Sequence, residues 1–220
     1  MIYSNPPIGS LTITSAEAGD GKSTVALHLA QAAAFTGQRV LLVDANLHLP
    51  QIHNLLDLPN YRGLSDLLFN NIEDTHHIIQ RSPIVSNLFV LTSGTPNHSA
   101  ARMLSSNRMH YLMDEFQRSF DFVIYDTPAL LDFIDANFIA ANSDGILMVT
   151  AIRKTKYSAL KEALGQLNHW NLFCLGVVAT HVSKNKINYQ SYEENISQPL
   201  TPTKAKLPAA YDHGKASLGN

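Results

Sequence analysis

Apolar positions along this chain gather in short continuous runs instead of alternating with polar ones. Runs at 11–14 (LTIT), 39–43 (RVLLV), 87–92 (NLFVLT), 120–126 (FDFVIYD), 145–150 (GILMVT) and 174–180 (CLGVVAT) have this character. Strands of that kind are covered on both faces, as in parallel sheets. Between them lie stretches with helical spacing at 22–36, 64–68, 100–118, 132–141 and 156–169. The first is rich in alanine, places Val25, Leu29, Ala32 and Ala33 on one inward face, and has Gly37 just past its end as a cap. The alternation predicts an α/β fold of three layers, a mostly parallel central sheet with helices on both faces. Ligands of such sheets bind at the carboxyl ends of the strands. The residues after Thr14, Val43, Tyr125 and Thr180 therefore fall on one rim.

The pattern stops near Ser183. Residues 184–220 are polar, carry three prolines and few aliphatic side chains, and are expected to be a flexible tail after a folded domain at 1–183. The formal net charge of −2 over 220 residues provides no basic field for nucleic acid or an acidic membrane surface. A single cysteine, Cys174, excludes an internal disulfide and a cysteine metal cage, and fits a reducing cytosol. No stretch approaches the roughly 20 apolar residues that span a bilayer. The opening MIYSNPP lacks the basic start and apolar core of a secretory signal. The expectation is a soluble cytoplasmic protein.

The strongest chemical signal is SAEAGDGKST at 15–24, which follows a strand and opens a helix. Gly19 and Gly21 let the backbone turn its N–H groups toward phosphate oxygens, and Asp20 lies between them. The start of the helix, Lys22-Ser23-Thr24, adds unsatisfied N–H groups and the positive end of the dipole. Lys22 suits the β and γ phosphates, and Ser23 suits magnesium. The common phosphate-loop pattern begins with glycine five residues before Gly21, where this chain has Ala16. Two further strands end in acids, Asp44 and Asp126. Alone, each would read as a turn former or helix cap. Beside a phosphate loop they read as the carboxylates that hold the magnesium of a nucleoside triphosphate.

These motifs, in this order, resemble the bacterial tyrosine kinases of capsule and exopolysaccharide synthesis. That family lies within the deviant phosphate-loop ATPases that also include the cell-division and plasmid-partition ATPases. The resemblance runs over 3–183 through ITSAEAGDGKSTVALHLA, VLLVDANLHLPQIH, GLSDLL, LTSGTPN, FDFVIYDTPALLDFIDA, SDGILMVTAIRKT and LGVVAT. It implies ATP and Mg²⁺ at the first motif, with Lys22, Asp44 and Asp126 as the catalytic set. Gly19, Asp20, Gly21, Lys22, Ser23 and Thr24 would hold the nucleotide. Ser23, Asp44 and Asp126 would hold the metal, and Asp126 could instead orient water. The phospho-acceptors would be Tyr189, Tyr192 and Tyr211 in the tail of a neighbouring copy. The partner would be a membrane polysaccharide co-polymerase, or a membrane-spanning part of a longer parent chain, which would bring the protein to the inner face of the membrane.

The chain departs from the family pattern at three places. The second motif usually reads Asp-x-Asp-x-Arg-x-Pro; here it is DANLHLP, with Asn46 for the second acid and His48 for the arginine. An amide has no useful basicity, and general-base help is worth roughly 10²–10⁴ in rate. ATP binding is thus expected to outlast efficient phosphoryl transfer. His48 is expected to be a surface loop residue, with a base role as the alternative. His48 and His53 have no nearby carboxylate or cysteine to complete a metal set. The last strand ends on Thr180, where many relatives carry an asparagine that reads the base. Finally, MIYSNPPIGS begins after the position of the family's subunit-packing helix, which suggests either a fragment of a longer polypeptide or a natural short form.

Two rival functions follow. One is an ATP-dependent scaffold or regulator of the polysaccharide exporter. The other is a partition-type ATPase, disfavoured because the signature lysine of that group is replaced by Glu17. A division-site ATPase would end in an amphipathic membrane helix, which the prolines of the tail break.

Overall fold

The computed structural model describes residues 8–69, 75–96 and 99–182. Among them, seven strands form one sheet: β1 (Ser10–Ser15), β2 (Val40–Asp44), β3 (Gln80–Arg81), β4 (Leu88–Leu91), β5 (Phe122–Asp126), β6 (Ile146–Ala151) and β7 (Cys174–Thr180). Their order is β3-β4-β2-β5-β1-β6-β7. Every neighbouring pair is parallel except β3 with β4. The helices are α1 (Lys22–Phe35), α2 (Ile52–Leu56), α3 (Leu64–Phe69), α4 (Ala100–Leu104), α5 (Asn107–Ser119), α6 (Asp135–Ala140) and α7 (Tyr157–His169). This is the mostly parallel α/β architecture that the apolar runs predict.

Apolar burial explains the layering. Val40, Leu42, Leu88 and Ile124 pack on one face against Ala26, Leu27 and Ala30 of α1. Leu41, Val43, Val123 and Tyr125 pack on the other face with Leu112 and Phe116 of α5. A third cluster joins Ile146 and Met148 to Ala159, Ala163 and Leu167 of α7. The inward face of α1 differs from the expected one. Ala26, Leu27, Ala30 and Ala34 are buried, Val25, Leu29 and Ala33 are partly covered, and Ala32 is exposed. An alanine-rich helix has little amphipathic contrast, so its sequence leaves the facing angle loosely defined.

Three local features depart from expectation. The helix expected over 100–118 is two helices. Ser106 is extended (φ −78°, ψ 155°) and its hydroxyl accepts the Met109 N–H, which starts α5 as an N-cap. The helix expected at 132–141 is shortened to α6, because the residues ahead of it form a turn in which Asp132 and Phe133 donate their N–H groups to Ala129 O at 3.2 and 3.1 Å. The two-residue β3 and the five-residue α2 have no run long enough to show a period. GLSDLL and LTSGTPN pack directly on each other. Leu64 and Ser65 donate their N–H groups to Thr92 O and Ser93 O, and a Cβ on Gly63 would collide with the backbone of Thr92 and Gly94.

The order of the strands positions the site. β1 feeds β2 on one side of β5, while β6 and β7 extend the sheet on the other side of β1. The carboxyl ends of β1, β2 and β5 therefore open side by side at the point where the winding reverses, where such sheets bind ligands.

Candidate functional site

The loop between β1 and α1 has the geometry of an anion cradle. Gly19 and Gly21 sit at φ +76° and +91°, which a residue with a side chain adopts only under strain. α1 begins at Lys22 with neither a side-chain cap nor an acid in its first turn, so its leading N–H groups and dipole face outward unneutralised. Lys22 is buried, 8% exposed, despite its charge.

The loop is clasped by the exits of β6 and β7, the two strands on one side of β1. Thr155 Oγ1 donates to Asp20 Oδ1 at 2.7 Å, Lys154 Nζ donates to Ala18 O at 2.6 Å, and Thr180 Oγ1 donates to Asp20 O at 2.7 Å. Asp20 is fully buried, so its carboxylate ties the loop to the exit of β6 instead of pointing at a ligand. Nothing in the types of Lys154 and Thr155 marks them for this role. Their only signal was position, a few residues past a strand end on the ligand rim.

Asp44 and Asp126 face each other in register at the ends of β2 and β5, both without solvent exposure. Asp44 Oδ2 accepts the N–H groups of Gln51 and Ile52, each at 3.0 Å, and its Oδ1 accepts Asn46 N–H at 3.2 Å. It thereby closes the loop from 44 to 52 and starts α2. Asp126 is different. Neither of its buried oxygens has a hydrogen bond of good geometry, although the Ser23 hydroxyl and the Lys22 ammonium lie near enough to stabilise its charged form. Burial is the main force raising both acids above the ordinary carboxylate range; Asp126 raises Asp44 further, while Ser23 and Lys22 restrain Asp126. Two orphaned carboxylate oxygens beside a serine hydroxyl at the head of a phosphate loop fit a divalent cation, with Asp44 retaining lone pairs for it or for its water.

An open groove of about 460 Å³ lies over the loop. Its lining includes Gly19, Lys22 and Ser23 of the loop, Asn46 and Leu49 after β2, and His181 after β7.

Residues 10–170 match the family model described as an AAA domain. Over 192 residues the chain is 39% identical to the tyrosine-protein kinase YwqD of Bacillus subtilis, covering 86% of this chain and 80% of that one. This chain belongs to the bacterial tyrosine kinase family. The solved structure of the chimerical protein CapA2B2 superposes on it with a TM-score of 0.78 at 30% identity, over 82% of this chain and 79% of that one. EpsB of Ralstonia solanacearum is 32% identical over 81% of this chain, yet this chain spans only 24% of its length.

In this chain the second motif is built around an amide. Asn46 Nδ2 donates to Leu49 O at 3.0 Å while Asn46 Oδ1 accepts Leu49 N–H at 3.1 Å. The amide satisfies both the N–H and the C=O of one residue, which a carboxylate could not do. His48 is not the free surface residue expected. Its ring stacks on Phe133 (centroids 3.8 Å apart, planes 16° apart), and Nε2 sits 3.3 Å from Asp135 Oδ1, a carboxylate 1% exposed. His48 thus bridges the β2 exit to the start of α6. The hydroxyl of Thr180, expected at the base, is spent on Asp20 O. The tail from 184, with Tyr189, Tyr192 and Tyr211, lies outside the described residues.

Proposed function

We propose that this chain is an ATP- and magnesium-dependent protein-tyrosine kinase that phosphorylates tail tyrosines, Tyr189, Tyr192 and Tyr211, of a neighbouring copy. The observation that carries the reading is Asp126. Its two buried, unpartnered oxygens stand beside Ser23 and Lys22. Burying a carboxylate without hydrogen bonds is costly, and a bound cation offsets that cost. The likeness to a named tyrosine-protein kinase over most of both chains supports the same reading.

Ser23 and Asp126 would hold magnesium, with Asp44 contributing directly or through water. The metal supplies positive charge against the phosphate oxygens when bound. Lys22 and the N–H groups of residues 19–24 orient the triphosphate and neutralise charge that develops on the transferred phosphoryl group. Gly19 and Gly21 keep the cradle open. Asn46 is neutral and accepts no proton from an incoming tyrosine hydroxyl. The output we assign is control of capsular and exopolysaccharide synthesis and export, through a membrane polysaccharide co-polymerase or a membrane-spanning part of a longer chain. No helix among the described residues is long and apolar enough to cross a membrane.

The Asn46–Leu49 pairing favours a second reading, an ATP-binding regulator with weak chemistry. Mass spectrometry after incubation with magnesium ATP separates the two, comparing the wild type with Lys22→Met. Phosphotyrosine in the tail that vanishes in the variant is the kinase result. ATP binding with no phosphotyrosine is the regulator result.

A further inference from the structure

Thr180 Oγ1 has three polar neighbours and one hydrogen to give. Two of them, Asp20 O at 2.7 Å and Thr150 O at 3.4 Å, are carbonyl oxygens and only accept. The hydroxyl proton therefore goes to Asp20 O, the shorter contact. The third neighbour is His181 Nδ1 at 3.1 Å. Since the hydroxyl has no second hydrogen, Nδ1 must be the donor and Thr180 Oγ1 the acceptor. The accounting thus fixes the tautomer of His181: the neutral ring carries its proton on Nδ1, and Nε2 is left with a lone pair.

The backbone around His181 puts that lone pair in a useful place. His181 lies in the left-handed region at φ +56°, an uncommon conformation for a residue with a side chain. His181 lines the same groove as Gly21 and Lys22 and remains exposed. With Nδ1 turned to Thr180, the remaining polar atom of the ring is an acceptor, carried by a residue that lines the groove over the loop.

We propose that His181 is the base-selecting residue of this site, its Nε2 accepting a hydrogen bond from the 6-amino group of adenine. Purines with a carbonyl oxygen at C6, guanine and hypoxanthine, would set an acceptor against an acceptor there. Thr180 acts through His181, orienting the ring, and does not touch the base. This inference rests on the nucleotide reading of the loop, and deepens it by naming what distinguishes one purine from another.

The test is competitive displacement of a fluorescent ATP analogue from the full chain by ATP, by inosine triphosphate and by inorganic tripolyphosphate, all with magnesium. Inosine triphosphate replaces the 6-amino group of ATP with a carbonyl, leaving the phosphates unchanged. The wild type is expected to prefer ATP over inosine triphosphate by roughly 3- to 10-fold, the size of one net hydrogen bond. His181→Ala and His181→Phe should both bring that ratio close to one and leave tripolyphosphate displacement unchanged. A wild type with no preference, or a preference that survives in both variants, overturns the proposal while leaving the phosphate loop intact. Preference retained in His181→Phe and lost in His181→Ala also overturns it, because ring stacking would then be the cause. A wild type displaced by neither nucleotide nor tripolyphosphate overturns the proposal together with the nucleotide reading beneath it.

Discussion

Asn46 and Leu49 exchange two hydrogen bonds, amide nitrogen to carbonyl at 3.0 Å and peptide N–H to amide oxygen at 3.1 Å. The pair closes the loop behind Asp44, whose own carboxylate holds the other end through Gln51 and Ile52. Asn46→Asp removes the donor, sets an oxygen against Leu49 O, and adds a third carboxylate near Asp44 and Asp126. The nucleotide-free protein should lose about 1–3 kcal/mol, measured by urea denaturation. Magnesium ATP should restore part of the loss. An unchanged midpoint in the nucleotide-free state would show that the loop does not depend on the amide.

The acid pair makes stability depend on pH in an unusual direction. Burial raises Asp44 from an ordinary value of 3.8 to about 8 and Asp126 to about 6, so between these values the folded state holds protons that the unfolded chain has released. Stability falls with rising pH wherever the folded state binds more protons. Without nucleotide, the midpoint should therefore decline from about pH 4 through about pH 8 on account of this pair, and Asp126→Asn should flatten the slope. Denaturation at several pH values checks it; a slope unaltered in the variant contradicts the assignment.

Thr155, just past β6, holds Asp20 at 2.7 Å and also accepts the Ala151 N–H at 3.1 Å. Thr155→Val keeps the shape and removes both bonds, leaving the buried Asp20 carboxylate to its longer contacts with Lys154 Nζ at 3.9 Å and Glu17 N–H at 3.4 Å. A loss of about 2 kcal/mol is expected in thermal or urea unfolding, with weaker ATP binding because the loop is less firmly placed. Thr155→Ser should keep most of both.

His48 links two segments of the rim by a ring stack and a carboxylate contact. His48→Ala should destabilise by about 1–3 kcal/mol, since Asp135 stays buried without its partner. His48→Phe keeps the stack alone and should recover only part. Equal stability of the two variants would mean that the Asp135 contact contributes nothing.

The parallel sheet was legible because fully buried strands must be continuously apolar, and VLLV at 40–43 and FVIY at 122–125 have no other reading beside helical stretches. Lys22, Ser23, Asp44 and Asp126 were legible for a related reason. Each sits at a strand end or a helix start, and the parallel rule brings those ends together. The clasp of Asp20 by Lys154, Thr155 and Thr180 was not, because those contacts join residues more than a hundred positions apart through single side-chain hydrogen bonds, which leave no periodic trace. The break at Ser106 was hidden inside a run whose apolar spacing continues through it. The role of Asn46 was half legible: its neutrality could be read from its type, its pairing with Leu49 only from the folded loop.

Asp126, with Ser23 and Lys22, is proposed to form the metal end of a nucleotide site. Calorimetric titration of ATP with and without magnesium, into the wild type and into Asp126→Asn, tests it most directly. The wild type should bind ATP several-fold more tightly with magnesium, and Asp126→Asn should lose that enhancement while keeping magnesium-free binding. An enhancement of equal size in the two proteins would contradict the account.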